Sequence, residues 1–217
     1  CGFVLHVVSA GISSLVFNKV DIEQGCIYKY SCAYGNCGYM ALPLAGAVLG
    51  SEGVFYCSAV IISFQIFSFT HGIHTITKGK QGEKVKFDVK KLVFNPGVIS
   101  VIIGLPIFLL GIKLPFIVSE PLRMMAGLNS PVAMLIFGTY IANTDLKTMF
   151  SVKENYLVAL LKLVALPLIM LAALRLCGVT GVLLTACIIS ASVPSANNTV
   201  MFSAKYGNDT GVASKVV

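Results

Sequence analysis

The chain has 217 residues, of which 56% are apolar and 12% are charged, with no tryptophan and a mean hydropathy of +0.86. This composition excludes an ordinary soluble domain and predicts a multi-pass helical membrane protein. A net charge of +7 is compatible with binding to nucleic acid, but the positions of the lysines favour another explanation.

The lysines are concentrated in a polar loop over residues 78–91, between two apolar segments. The positive-inside rule places this loop in the cytoplasm. Counting alternate loops puts further basic residues on the same side, namely Lys19, Lys29, Lys147, Lys153, Lys205 and Lys215. The charge is therefore interpreted as membrane topology and contact with anionic lipid. The bilayer is a predicted partner, and nucleic acid is not.

A membrane-spanning helix requires about 20 predominantly apolar residues. By that measure, the chain before the basic loop contains a helix at 3–17, a broken helix over 27–50 and an intact helix over 53–76. After the loop, helices are predicted at 92–111, 115–142, 155–177 and 179–205, and another begins at about 209. The helix at 179–205 is again a broken one.

The order of these elements predicts an all-α polytopic transporter fold made of two inverted five-helix repeats. Residues 1–77 would hold the last three helices of the first repeat, 78–91 the cytoplasmic loop, and 92–217 the second repeat. An odd number of helices per repeat gives the two copies opposite orientations. The numbering begins and ends inside apolar runs, so the chain is expected to be a fragment that lacks helices at both ends.

The two broken helices carry residues that do not suit the middle of a membrane. The first break reads Asn-Cys-Gly-Tyr-Met-Ala-Leu-Pro at 36–43, and the second reads Pro-Ser-Ala-Asn-Asn-Thr at 194–199. Freed backbone groups need partners where there is no water, so such breaks are tolerated mainly where they line a cavity. Two matched breaks indicate a substrate site built from discontinuous helices.

The chemistry of these breaks suits a small organic anion. The amide ends of half-helices carry partial positive charge and can hold a carboxylate, while asparagines add neutral donors and acceptors. A glycine allows close backbone approach, and prolines free the backbone. The candidate binding residues are Asn36, Gly38, Tyr39, Pro43, Pro194, Ser195, Asn197 and Asn198. In the alternative interpretation, the prolines only kink helices and the asparagines only join them.

Two further lysines have open roles. Lys205 is an accessory candidate that could draw an anion inward or extend to the interface. Lys162 lies well inside a predicted span and could face a watery cleft. The acidic residues fall near predicted helix ends, so the sequence indicates no carboxylate at mid-membrane for ion coupling.

No enzyme activity, metal or cofactor is predicted. The cysteines have no metal-ligand spacing and are interpreted as small packing residues. The motifs Gly-x-Ser-x-Gly, Gly-x-Gly-Asp and His-Glu-x-x-His, which would indicate an intramembrane hydrolase, do not occur in the sequence.

Several segments together resemble the auxin efflux carrier family, which includes plant auxin exporters and bacterial carriers of malate and malonate. Residues 34–44 resemble the family's aromatic-Gly-Asn-Thr-Gly-x-x-Gly-x-Pro segment, with Cys37 in place of Thr and Ala41 in place of Gly. Further likeness lies in Asn-Pro at 95–96, Pro-Val-Ala-Met at 131–134, and the second break with the Ala-Lys-Tyr-Gly that follows it. The likeness extends through nearly the whole chain in order.

The resemblance implies a fold shared with sodium/proton antiporters and bile acid symporters, in which Pro43 and Pro194 mark the crossing of the two broken helices. It also implies a secondary carrier of a small carboxylate, in a bacterial inner membrane. A membrane sensor that binds a ligand without moving it is the alternative function. A homodimer, the coupling ion and the direction of transport are left open.

Overall fold

The structure, a computed structural model, describes residues 1–79, 96–143 and 150–217. In this part of the chain the regular secondary structure is helical and no β-strand forms, which confirms the all-α class. The predicted basic loop lies outside the described residues from position 80 onward.

The α-helices are α1 (Gly2–Val16), α2 (Ile22–Ala33), α3 (Leu42–Phe67), α4 (Ile73–Thr77), α5 (Pro96–Leu109), α6 (Phe116–Ala142), α7 (Lys153–Leu160), α8 (Leu166–Leu176), α9 (Gly181–Ser192), α10 (Asn198–Tyr206) and α11 (Thr210–Val216).

Wide π-helical turns join several of these helices into longer rods. Cys37–Ala41 leads into α3, Ser68–Gly72 joins α3 to α4, and Leu161–Ala165 joins α7 to α8. Among the described residues, three helical stretches are long and apolar enough to cross a membrane: Gly2–Lys19, Cys37–Thr77 and Lys153–Leu176. Within the second stretch, Gly50 has φ 67° and ψ −154°, a left-handed conformation that interrupts the helix.

Small residues allow close packing between α3 and α9. Cys57, Ala186 and Cys187 are almost fully buried between these helices and their neighbours. The Cys57 thiol lies 3.5 Å from the Ala186 carbonyl oxygen and 3.3 Å from the Ser190 hydroxyl. Short side chains permit such close contact between membrane helices. The buried cysteines therefore act as packing residues.

The end of α2 is held in place by two buried tyrosines. The Tyr30 hydroxyl bonds to the Ser68 hydroxyl, and the Tyr34 hydroxyl donates to the Phe67 carbonyl at 3.0 Å. The Tyr34 hydroxyl also bonds to Nδ1 of His71 at 2.8 Å. Since a buried polar group without a partner is costly, these bonds fix α2 against the π-helical turn after α3. They therefore fix where the chain leaves α2.

The orientation of the helices gives a labelling prediction. In a variant with Cys1 replaced by serine, a cysteine placed at Lys78 is expected to react with an impermeant maleimide only from the cytoplasmic side. The native Cys177, which is exposed at the end of α8, is expected to react only from the other side. The measurement is labelling of intact cells against inverted vesicles. Labelling of both cysteines from the same side would contradict the predicted topology.

Candidate functional site

The two broken helices meet at a short crossing of extended chain. Beyond α2 the backbone is extended at Tyr34, with φ −116° and ψ 117°, and beyond α9 it is extended at Val193, with φ −75° and ψ 149°. The two stretches run antiparallel and form an isolated β-bridge between Gly35 and Ser195. The interruptions predicted from the sequence thus lie against each other in space.

Each extended stretch supplies hydrogen-bond partners for the other. The Asn36 backbone N–H donates to the Pro194 carbonyl at 2.8 Å, and the Ala196 N–H donates to the Tyr34 carbonyl at 3.0 Å. Backbone groups freed from a helix at this depth have no water to bind. The crossing therefore satisfies the groups that each break exposes, which explains why the two breaks occur as a pair.

The two asparagines of the crossing are buried and bonded to each other. Asn36 Nδ2 donates to Asn197 Oδ1 at 3.4 Å, and Asn36 Oδ1 accepts from the Tyr39 backbone N–H at 3.3 Å. Asn197 Nδ2 also lies 3.6 Å from the sulfur of Met134 on α6. Because the Asn36–Asn197 bond is long, it is weak and can be exchanged for a ligand at modest cost.

A cavity of about 320 Å³ lies beside this pair and is here termed the asparagine cavity. Its lining residues are Asn36, Cys37, Gly38, Tyr39, Leu42, Ile61, Phe64, Gln65, Ala126, Ala196, Asn197 and Asn198. None of these side chains is charged. Two half-helices begin at its wall, one at Cys37 and one at Asn198. Both starts turn the partially positive end of a helix toward the cavity. Part of their N–H groups is already bonded, since Cys37 N–H donates to the Gly35 carbonyl at 2.8 Å and Thr199 N–H to the Ala196 carbonyl at 2.9 Å.

The structure brings five of the predicted binding residues together in this cavity: Asn36, Gly38, Tyr39, Asn197 and Asn198. Pro194 and Ser195 belong to the crossing itself but line a different cavity. Sequence reasoning missed Gln65, whose Oε1 is buried and has no hydrogen-bond partner in the described part of the chain. Gln65 could have been found from the sequence, because it is a polar residue in the middle of the predicted helix at 53–76.

Pro43 does not lie at the crossing point. It is an exposed residue in the first turn of α3 and lines neither cavity. The chain already leaves α2 at Tyr34. Both the extended stretch and the π-helical turn at Cys37–Ala41 therefore precede the proline. The π-helical turn ends two residues before Pro43, and such a wide turn already departs from the regular hydrogen-bond ladder that a proline cannot complete.

The glycine in close contact at the crossing is Gly35 and not Gly38. A Cβ atom built on Gly35 would lie 3.0 Å from Lys162 Cε and 3.0 Å from Val193 Cγ2, whereas one on Gly38 would have no atom within 4 Å. The open side of Gly38 faces the cavity, so its predicted role in close backbone approach stays a prediction. Gly35, which was not among the predicted site residues, is the glycine that packs closely against other protein atoms.

Lys205 does not contribute to either cavity. It is exposed, and its Nζ lies 5.6 Å from the centre of the Tyr206 ring. Among the described residues, no group of three or more His, Cys, Asp or Glu side chains is arranged to hold a metal ion.

The described part of the chain is helical, with three stretches long and apolar enough to cross a membrane, and its two breaks cross beside a cavity; these features define a helical integral membrane protein. A family model described as "Membrane transport protein" matches residues 2–217, and the chain therefore belongs to the family of membrane transport proteins. The resemblance to auxin efflux carriers is thereby confirmed.

The chain is also similar to a protein of Rhizobium meliloti (strain 1021) named "Putative malonate transporter". The two are 26% identical over 205 residues, which cover 89% of this chain and 62% of that protein. The chain thus spans less than two thirds of the length of this relative.

Proposed function

We propose that the whole protein is a secondary carrier that moves a small organic anion with a carboxylate group, by alternating access around the crossing. The observation that carries this proposal is the asparagine cavity, which lies where two half-helices begin and has no charged side chain among the described residues that line it. Each helix start acts as about half a positive charge. Together they favour an anion over a neutral or cationic ligand.

The neutral lining also suits a site that must release its ligand. A buried arginine or lysine in direct contact would hold a carboxylate through a charged hydrogen bond of about 1.5–3 kcal/mol. Backbone N–H groups and the amides of Asn36 and Asn197 offer weaker, exchangeable bonds. The ligand can therefore be bound on one side of the membrane and released on the other when one helix bundle rocks against the other.

The name of the Rhizobium relative supports a carboxylate as the ligand class, with malonate as the first anion to test. A bacterial inner membrane is the proposed location, because that relative is bacterial and the chain is an integral membrane protein. The bilayer is the proposed environment of the apolar helices.

The test is uptake of labelled malate, malonate, lactate and an indole acid by proteoliposomes that contain the full-length protein. Saturable uptake of one of these anions is the expected result. Binding of an anion without uptake would contradict the carrier proposal and favour the sensor function. Neither binding nor uptake of any of the four would overturn the proposed carboxylate ligand.

A further inference from the structure

A second cavity, of about 220 Å³, lies on the other side of the crossing and is here termed the lysine cavity. Its lining residues are Phe150, Asn155, Tyr156, Ala159, Lys162, Leu163, Pro194, Ser195, Lys215, Val216 and Val217. The charged members are Lys162 and Lys215, and no aspartate or glutamate is among them. Among the described residues that line this cavity, the side-chain charge is therefore positive.

Lys162 is the unusual member of this set. Its side chain is only 2% exposed, although it carries an ammonium group on a membrane-spanning stretch. In the described part of the chain it has no hydrogen-bond acceptor and no carboxylate partner. An ammonium group removed from water without a partner is costly, and in membrane segments such groups mark functional sites. The π-helical turn that carries Lys162, Leu161–Ala165, is also of a kind that is frequent at functional sites.

Lys162 reaches the face of the crossing opposite to the asparagine cavity. A Cβ atom on Gly35 would lie 3.1 Å from Lys162 Nζ, so the ammonium group touches the backbone of the β-bridge itself. Successive residues in extended chain point to opposite faces. Gly35 therefore faces Lys162, while its neighbour Asn36 faces the asparagine cavity. Because Gly35 has no side chain, the lysine can approach this closely.

We propose that the lysine cavity is a second anion subsite, in which the ammonium of Lys162, with Lys215 and the Ser195 hydroxyl, binds a carboxylate on its way to or from the crossing. This subsite would serve the proposed carrier function, and the choice of a carboxylate as its ligand rests on that proposal. Binding to the subsite is measured independently of transport.

The test is thermal denaturation of the full-length protein in detergent, with sodium malonate or sodium lactate as the probe and sodium chloride at equal ionic strength as the salt control. The variants are Lys162→Met, Lys162→Arg and Lys215→Met. Lys153→Met is the matched control, because Lys153 is an exposed lysine at the start of α7, the helix that continues into the turn with Lys162.

The expected result is that Lys162→Met binds the carboxylate at least about tenfold more weakly, the loss typical of one charged hydrogen bond. Lys162→Arg and Lys153→Met should bind it within about threefold of the wild type. The ligand-free Lys162→Met protein should denature at the same temperature as the wild type or a higher one, because an uncompensated buried charge is removed. A lysine with a purely structural role would instead lower this temperature when replaced.

Unchanged carboxylate affinity in Lys162→Met, or stabilisation that sodium chloride reproduces, would overturn the subsite. If Lys162→Met fails to fold, Lys215→Met tests the same cavity, since its half-buried side chain is more easily replaced. Failure of the carrier proposal has a different signature, namely no uptake of any anion by the wild type. A wild type that shows lysine-dependent carboxylate binding without uptake would support the subsite alone.

Discussion

Replacing Asn197 or Asn36 by alanine is expected to reduce anion uptake by about 10- to 100-fold, while the amount of protein inserted in the membrane stays unchanged. Each change removes one hydrogen bond to a charged ligand, which contributes about 1.5–3 kcal/mol, and 1.4 kcal/mol corresponds to a factor of ten. The measurement is initial uptake in proteoliposomes as a function of substrate concentration, for Asn197→Ala, Asn36→Ala and the wild type.

The matched control is Asn143→Ala, which changes an exposed asparagine at the end of α6. The side chain of Asn143 donates to the Thr139 carbonyl one turn earlier, and Asn143 is far along the chain from both breaks. Uptake by this variant should equal that of the wild type. Uptake within threefold of the wild type in both Asn36→Ala and Asn197→Ala would remove these asparagines from the binding site.

The same experiment separates binding from simple helix association. If Asn36 and Asn197 only join the two breaks through their mutual bond of 3.4 Å, their replacement should lower the denaturation temperature without changing the substrate concentration for half-maximal uptake. If they bind the anion, that concentration should rise, and added substrate should stabilise the variants less than it stabilises the wild type.

Gly35→Ala is expected to lower the free energy of unfolding by about 1–3 kcal/mol, the usual cost of forcing an extra methyl group into a packed interior. The new Cβ would stand 3.0 Å from both Val193 Cγ2 and Lys162 Cε, so these two buried side chains would have to shift. Gly38→Ala is the matched control, because a Cβ there meets no atom within 4 Å. Its free energy of unfolding should stay the same or rise slightly, since alanine favours a helix more than glycine does.

The measurement for this glycine pair is thermal or urea denaturation in detergent, followed by circular dichroism at a helix-sensitive wavelength. Equal destabilisation by Gly35→Ala and Gly38→Ala would contradict the close contact between Gly35 and Lys162. A larger loss for Gly38→Ala would mean that the chain crosses one turn later than the structure places it.

The helical class of the protein and the presence of two breaks were predictable from local sequence. The apolar runs that contain α1, α3 and α8 are long enough to span a bilayer, and the glycines, asparagines and prolines near 36–43 and 194–199 disfavour one regular helix through each region. The asparagines at these breaks were predictable as site residues for the same reason. The predicted inverted repeat remains a prediction, as do the domain boundaries drawn from it.

The exact crossing point was not predictable from local sequence. Prolines are the most visible helix breakers, so Pro43 was expected there, but the chain leaves α2 at Tyr34 because the Tyr34 hydroxyl bonds to Phe67 and His71 on another rod. The role of Gly35 depends on Lys162, which is 127 positions later in the chain (162 − 35). No local pattern contains information about such a contact.

The sequence by itself therefore determined the class of the protein, its helical membrane character and the residue types available at each break. Only the tertiary structure decided which of those residues share a cavity, that Gln65 lies beside Asn36, and that Lys162 is buried against the opposite face of the crossing. The physical reason is that hydrophobicity and backbone propensity act over a few neighbouring residues. The pairing of freed backbone groups and buried charges depends on contacts between distant segments.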